Sequence, residues 1–369
     1  MRGAATAVQL MEGALEESTY SQYGRLFAEF AAYCEGEGVS PLPASPWTVI
    51  AYVGFLAEKG TWAADSLQPI FSAINGVHRD LDFELPAQGS HFLTRVRQGL
   101  ARAQTALGTR DTRIPLPASA SVAILGDGEA AVASAFDRGP RAARLQRLSR
   151  LRRSLALTLA ALFCGRQDSA VHLRTGDFGV DDDFIWLRLT EKMRRRLRWR
   201  RVVRLPLAQQ PARGQASALP RVAALARVYL CARLAFCSAT GAEEPEFLFQ
   251  LPGEPRPLTR HMSAWLSAAL DDVGVAAPPG FAYLGHSLRS EGASCMAAIG
   301  VDRHIIVWIG GWARGSSTME RHYIDPTVLP TPDAYALWGW ALTRQYAAGA
   351  AAVETFTPLP DPLVDDELR

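Results

Sequence analysis

The first hundred residues alternate apolar and polar positions with the 3.6-residue period of amphipathic helices. Tyr23, Leu26, Phe27, Phe30 and Tyr33 fall on one stripe behind a cap at Ser18 or Thr19, and the stripe ends near Gly36 and Gly38. Ser45 followed by Pro46 marks a second start, since a serine hydroxyl caps exposed amides and proline's fixed φ suits the first turn. The run it opens holds Trp47, Ile50, Val53 and Leu56 and stops at Gly60. A third helix is predicted from Ala64 to Arg79, with Leu67, Ile70, Phe71, Ile74 and Val77 inward. A fourth runs from about His91 to Gln104, with Leu93, Val96 and Leu100 inward and Arg95, Arg97 and Arg102 outward. Residues 1–106 therefore read as a small four-helix domain.

Residues 107–120 have no apolar period and carry turn formers and two prolines, the signature of an interdomain linker. A long helix is expected from about Leu145 to Leu162, after which the period changes to two. Ile185, Leu187 and Leu189 share one face of a strand, and 201–207 alternates in the same way, with the basic stretch 191–200 between them. The pair predicts a hairpin with a cationic tip or flank. Further helices are expected from Arg221 to Phe236, from Thr259 to Val273, and over 287–299, 302–310 and 333–347. His78, His172 and His261 read as structural. Residues 121–348 thus form a second domain, and 349–369 a loose acidic tail. The fold class is mainly α with a small β-sheet. In the last helix Tyr335, Leu337, Trp338, Trp340 and Leu342 exceed what one helix face can bury, which predicts docking on a neighbouring protomer or, equally open, folding back on the same domain.

A chain of 369 residues with 48% hydrophobic and 21% charged side chains is globular rather than disordered. Its longest nearly apolar run, Leu155 to Cys164, is about half of what a bilayer-spanning helix needs. No basic start followed by an apolar stretch marks a signal peptide, so no membrane partner and an intracellular location are expected. Five cysteines without CxxC pairing (Cys34, Cys164, Cys231, Cys237, Cys295) read as reduced, mostly buried thiols and argue against a metal site.

The formal charge of +2 conceals an asymmetry. Residues 1–117 carry 9 basic and 12 acidic side chains, whereas 138–204 carry 18 basic and 6 acidic. Such concentration suits a polyanion, nucleic acid first, and equally a solvated arginine-rich face. Only two of the 39 basic residues are lysines, Lys59 and Lys192. Lys192 stands inside the densest arginine run, and only an amine readily gives up its proton there.

Four strings carry the chemistry: FCGRQDSAVHL (163–173), LTEKMRRR (189–196), LGHSLRSEGAS (284–294) and IGGWARGSSTMERHYID (309–325). In this order they resemble the tyrosine recombinase, or phage integrase, family of DNA strand-transfer enzymes, over roughly residues 18–345. The resemblance implies a helical core-binding domain followed by an α+β catalytic domain, a double-stranded DNA partner and self-association as a tetramer on synapsed DNA. It places the catalytic groups at Arg166, Lys192, His286, Arg289, Trp312 and Tyr323, with Trp at a station more often held by His, as in mobile-element recombinases. Two departures are visible. Ser169 stands where the family has a carboxylate, with Asp168 one place earlier, and Trp312 to Tyr323 spans eleven residues instead of eight or nine.

The implied reaction explains the residue types. Attack on a phosphodiester builds charge on the non-bridging oxygens, which two arginine forks can meet with paired hydrogen bonds. Tyr323 would be the nucleophile, His286 would accept its proton or orient it, and Lys192 would protonate the departing 5′ oxygen. Trp312 can donate one indole hydrogen bond. A 3′-phosphotyrosyl bond conserves the energy of the broken diester, so no cofactor, ATP or metal is implied. Arg95, Arg97, Arg102, Arg194, Arg195 and Arg196 are the expected DNA contacts. Two other functions fit the same strings: a type IB topoisomerase-like nicking–closing enzyme, and a DNA-binding protein that keeps the fold without strand transfer.

Overall fold

The computed structural model describes residues 17–60, 62, 64–106, 112–192, 198–207, 213–313, 315 and 317–342. The chain forms two compact units, Met1–Asp111 and Thr112–Arg369.

The first unit is four helices: α1 (Glu17–Gly36), α2 (Pro46–Glu58), α3 (Gln68–Asp80) and α4 (His91–Ala106). The start of α2 follows the predicted chemistry, with Ser45 Oγ accepting from the Thr48 N–H at 3.1 Å and Pro46 in the first turn. The third helix begins later than its apolar stripe suggests. A short 3₁₀ turn takes Ala64–Ser66 and α3 opens only at Gln68, because Pro69 lacks an N–H and fits only a first turn. Leu26, Phe30, Val49, Tyr52, Val53, Ile70, Ile74 and Leu93 fill the core. His78 is buried in it: its Nε2 accepts from the Ala44 N–H and its Nδ1–H donates to the Ile74 carbonyl, both at 2.8 Å. Those two bonds give the ring a structural role.

The second unit is mainly helical around α6 (Arg141–Leu162), whose last three turns are buried on nearly every side. The apolar run noted in the sequence is therefore a core helix. Around it stand α5 (Ala118–Val132), α8 (Leu219–Thr240), α9 (Thr259–Asp272) and α10 (Gly285–Ala298). The short α7 (Gln167–Val171) follows α6, and α11 (Arg303–Gly310), α12 (Thr318–His322) and α13 (Pro332–Trp338) complete the unit. Helix α8 is long and apolar enough to cross a membrane. Here Val222, Leu225, Ala226, Tyr229 and Phe236 bury it in the core, and buried Arg233 donates to the Phe247 and Leu248 carbonyls.

A three-stranded antiparallel sheet orders β2 (Phe178–Val180), β3 (Phe184–Lys192) and β4 (Arg198–Pro206), numbered after the two-residue β1 (Thr112–Arg113). Ile185 faces Leu205 and Leu187 faces Val203, so the alternation read from the sequence is the buried face of this sheet. A separate parallel bridge joins β1 to β5 (Phe281–Ala282).

Two expectations need correction. The stretch 107–120 is not one linker: residues 112–120 enter the second unit through β1, buried Leu116 and the first turn of α5. A two-residue bridge and one anchoring leucine leave no periodic signal. The apolar C-terminal helix does not await a neighbour. Leu337, Trp338 and Trp340 are buried within their own unit, and the Ala336 carbonyl accepts from the Ala218 N–H at 2.8 Å. Helix α13 tightens into a 3₁₀ turn at Gly339–Leu342, which turns both tryptophans inward. Part of the positive charge in 138–204 is, in addition, answered locally. Arg150 pairs with Asp127, Arg152 with Glu254, Arg153 with Asp272, Arg174 with Glu246 and Arg188 with Asp177. These arginines tie helices and loops together and are not a free polyanion footprint.

Candidate active site

Helix α10 organises the site. The Leu284 N–H donates to Ser287 Oγ at 3.0 Å, closing the first turn and putting His286 and Arg289 one turn apart on the same side. Arg289 is buried, and its guanidinium donates to the Cys164 carbonyl. The guanidinium carbon lies 3.8 Å from the Trp312 ring centroid and 5.0 Å from that of Tyr323. A desolvated cation over aromatic faces gains on the order of 2 kcal/mol, which helps offset removing the charge from water. Trp312 meets Tyr323 edge-on at 5.3 Å between centroids, and the His286 ring lies 6.2 Å from Tyr323. Four of the six predicted catalytic residues thus meet in one cluster. They come from α10, the turn after α11 and the end of α12.

Arg166 reaches the same neighbourhood through the backbone. Cys164 has φ of 46°, a left-handed conformation that costs a non-glycine residue about 1–2 kcal/mol, and it turns the chain sharply from α6 into α7. Its carbonyl is the Arg289 acceptor, and two residues later Arg166 occupies the N-cap of α7, exposed. Two glycines permit this closeness. A Cβ on Gly285 would lie 2.4 Å from the Gln167 side chain, and one on Gly292 would lie 2.4 Å from the Ala161 carbonyl oxygen. Helix α10 therefore lies directly against the α6–α7 corner.

Lys192 is the last residue of β3, opposite Arg198 at the loop end of the hairpin. Arg194, Arg195 and Arg196 lie outside the described residues. Arg95 and Arg102 are exposed on α4 in the other unit, while Arg97 is half-buried and donates to Gln68 Oε1 at 3.5 Å.

The two departures have local explanations. Asp168 accepts from the Thr259 hydroxyl at 3.2 Å and pairs with His172 at 3.0 Å, tying α7 to α9, while Ser169 is half-buried. Between Trp312 and Tyr323, Gly315 adopts φ of 75°, a conformation open to glycine.

No family model matches this sequence, and no curated protein matches it. Among solved structures, the chain superposes on the XerH site-specific recombinase bound to palindromic difH substrate in a post-cleavage complex. The TM-score is 0.53 at 12% identity, over 90% of this chain and 79% of that one. The fold is that of a site-specific recombinase. A lambda integrase (75–356) dimer bound to a COC′ core site also matches, with a TM-score of 0.48 at 15% identity over 89% of this chain and 96% of that one. XerA recombinase matches at 0.39 and 16%, over 93% and 96%.

Within this recombinase fold, sequence reasoning missed the groups that hold the cluster. Ser294 is buried on α10; its hydroxyl donates to the Tyr323 carbonyl at 3.0 Å and accepts from the Asp325 N–H at 2.8 Å. The signal was a serine in a helix interior, where its hydroxyl tends to compete for backbone bonds. Arg303 on α11 pairs with Glu320 on α12, three residues before Tyr323, and holds that carboxyl below its usual range. The Trp312 indole N–H is buried and finds no acceptor among the described residues. Those residues also contain no group of three His, Cys, Asp or Glu side chains suited to a metal ion.

Proposed function

We propose that this chain is a tyrosine-type site-specific DNA recombinase, with Tyr323 as nucleophile. The observation that carries the reading is the convergence of His286, Arg289 and Trp312 on the Tyr323 ring, beside the corner that ends in Arg166. In the reaction, Tyr323 Oη attacks the scissile phosphorus and passes its proton to His286. The P–O5′ bond breaks, and Lys192 protonates the leaving oxygen, since an alkoxide leaves poorly without an acid. Arg166 and Arg289 bind the non-bridging oxygens, and the Trp312 N–H, which has no acceptor among the described residues, supplies one more donor. Attack of a 5′ hydroxyl on the 3′-phosphotyrosyl bond reverses these steps and rejoins strands. The bond energy is kept throughout, so neither ATP nor a metal enters the balance.

Duplex DNA is the proposed partner. Arg95, Arg97 and Arg102 on α4 and Arg194, Arg195 and Arg196 beyond β3 are the proposed phosphate contacts. Exchange between two duplexes engages four half-sites with one tyrosine each, which calls for a tetramer on synapsed DNA. The proposed workplace is intracellular, on DNA, and integration of a mobile element is the proposed context.

The test is a nicked suicide duplex cut from repeats flanking the gene. Wild-type protein is expected to accumulate a covalent protein–DNA species, and Tyr323→Phe to bind with unchanged affinity and form none. Binding without any covalent species would favour a lapsed DNA-binding protein. Relaxation of supercoils by a monomer without strand exchange would favour the nicking–closing enzyme.

A further inference from the structure

Trp47 and Phe92 stand apart from every contact described so far. They are 64% and 52% exposed, yet they touch each other, with ring centroids 5.2 Å apart and planes inclined by 38°. The core of their unit uses other aromatics, Phe30 and Tyr52 among them. Two large rings that touch each other at the surface form an apolar contact patch that a partner can cover.

Each ring is the second residue of its helix, so the pair joins the N-terminal turns of α2 and α4. Neither first turn contains an acidic side chain, which leaves the positive ends of both helix dipoles uncompensated beside the rings. Along α4 the stripe continues from Phe92 through Arg95 and Gly99 to Arg102, spaced i, i+3, i+7 and i+10. Along α2 it continues from Trp47 through Ala51 and Gly54, small residues that let another surface approach closely. Helix α4 has no carboxylate, and the only one on α2, Glu58, lies about 16 Å along the axis from Trp47. Among the described residues, the unit's other carboxylates lie on or just after α1, around the end of α3 and, at Asp65, in the 3₁₀ turn beside the Gln104 end of α4, away from the rings. This face is cationic with an aromatic tip.

We infer that the Trp47–Phe92 pair is a sequence-reading contact on duplex DNA, packing against thymine methyl groups in the major groove while Arg95 and Arg102 hold the flanking phosphates. Charge decides the occupant, because a polyanion complements a face that lacks carboxylates around its rings. Major-groove width admits a helix, and among base edges only thymine offers a methyl to an aromatic ring. The inference rests on the DNA-recombinase reading and adds where base discrimination comes from.

The test uses the full-length protein and a pool of 30-base-pair duplexes with randomised centres, selected by binding. Wild-type protein should enrich a motif with thymine at defined positions. Trp47→Ala and Phe92→Ala, both surface changes, should flatten the preference there while keeping the wild-type melting temperature. Replacing those thymines by uracil removes only the methyl, and should weaken wild-type binding about fourfold per methyl and leave Trp47→Ala unaffected. Arg95→Ala should instead weaken selected and unselected duplexes alike, and lower the salt slope by about 0.9. Unchanged selectivity in Trp47→Ala and Phe92→Ala, or no uracil effect in wild type, would overturn the inference. Loss of self-association without DNA in these variants, with selectivity intact, would assign the face to a second copy of the chain instead. Failure of wild type to bind any duplex would count against the recombinase reading itself, which separates the two.

Discussion

Ser294→Ala tests whether the position of Tyr323 is set by the core helix behind it. The hydroxyl bridges α10 to both sides of a single peptide segment, donating to the Tyr323 carbonyl and accepting from the Asp325 N–H. Alanine removes both bonds without a steric change. Two neutral hydrogen bonds are worth about 1 kcal/mol each, hence about 2 kcal/mol together. If that loss falls on the placement of the phenol oxygen, cleavage slows about 30-fold. The bridge touches only the segment after α12, so most of the loss should be local. In a unit of this size each kcal/mol of global stability moves the melting temperature by about 2–4 °C, so a drop of no more than about 4 °C is expected. The assay is single-turnover formation of the covalent complex on a suicide duplex, beside a thermal melt. Ser294→Cys retains a weak donor and acceptor and should fall between the two. A Ser294→Ala protein that cleaves at the wild-type rate would refute the idea that this bridge positions the nucleophile.

Glu291 is fully buried on α10, and burial holds its carboxyl well above its ordinary range, with the Ser121 hydroxyl as a weaker opposing influence. The folded state therefore binds a proton that the unfolded state releases, and stability falls as pH rises from about 4.5 towards the folded value, by about 1.4 kcal/mol per unit. Glu291→Gln should remove that slope and melt higher than wild type at pH 8, and equal slopes in pH-dependent melts would contradict this. Gly292→Ala should destabilise despite a helical gain of about 1 kcal/mol, because the new Cβ meets a backbone carbonyl and overpacking costs about 1–3 kcal/mol or more; chemical denaturation measures it. Lys192→Arg should keep DNA affinity while cleavage drops strongly, and a substrate with sulfur at the 5′ leaving position should restore the rate, whereas normal cleavage of ordinary DNA would place the acid elsewhere.

Much of the helical order was legible because periodicity and caps are local. Ser45–Pro46 and the alternation at 185–189 needed no tertiary information. The residues of the cluster were legible as types at spacings. Their supports were not, because they depend on what faces what. The part of Cys164 is played by its carbonyl, which no side-chain pattern announces, and that of Ser294 by a hydroxyl aimed at a segment 29 residues away. The apolar C-terminal helix left two readings open for a related reason. Counting apolar residues on one helix cannot reveal that a 3₁₀ turn follows it and that Trp338 and Trp340 are both buried in the same core. The charge map could not show the local pairs, because the carboxylates that neutralise Arg150, Arg152 and Arg153 are distant in sequence.

Helix α10 carries His286 and Arg289, and one turn further on it buries Glu291, Gly292 and Ser294 against other elements of its unit. The cluster and the interior are thus two faces of one fourteen-residue rod. Local fraying that releases a mobile loop elsewhere has no counterpart here, since His286 and Arg289 cannot separate without unwinding a helix that the core grips. Loss of the His286–Arg289 pair on heating should then follow unfolding of the second unit, whereas Tyr323, on a separate segment, can leave its place first.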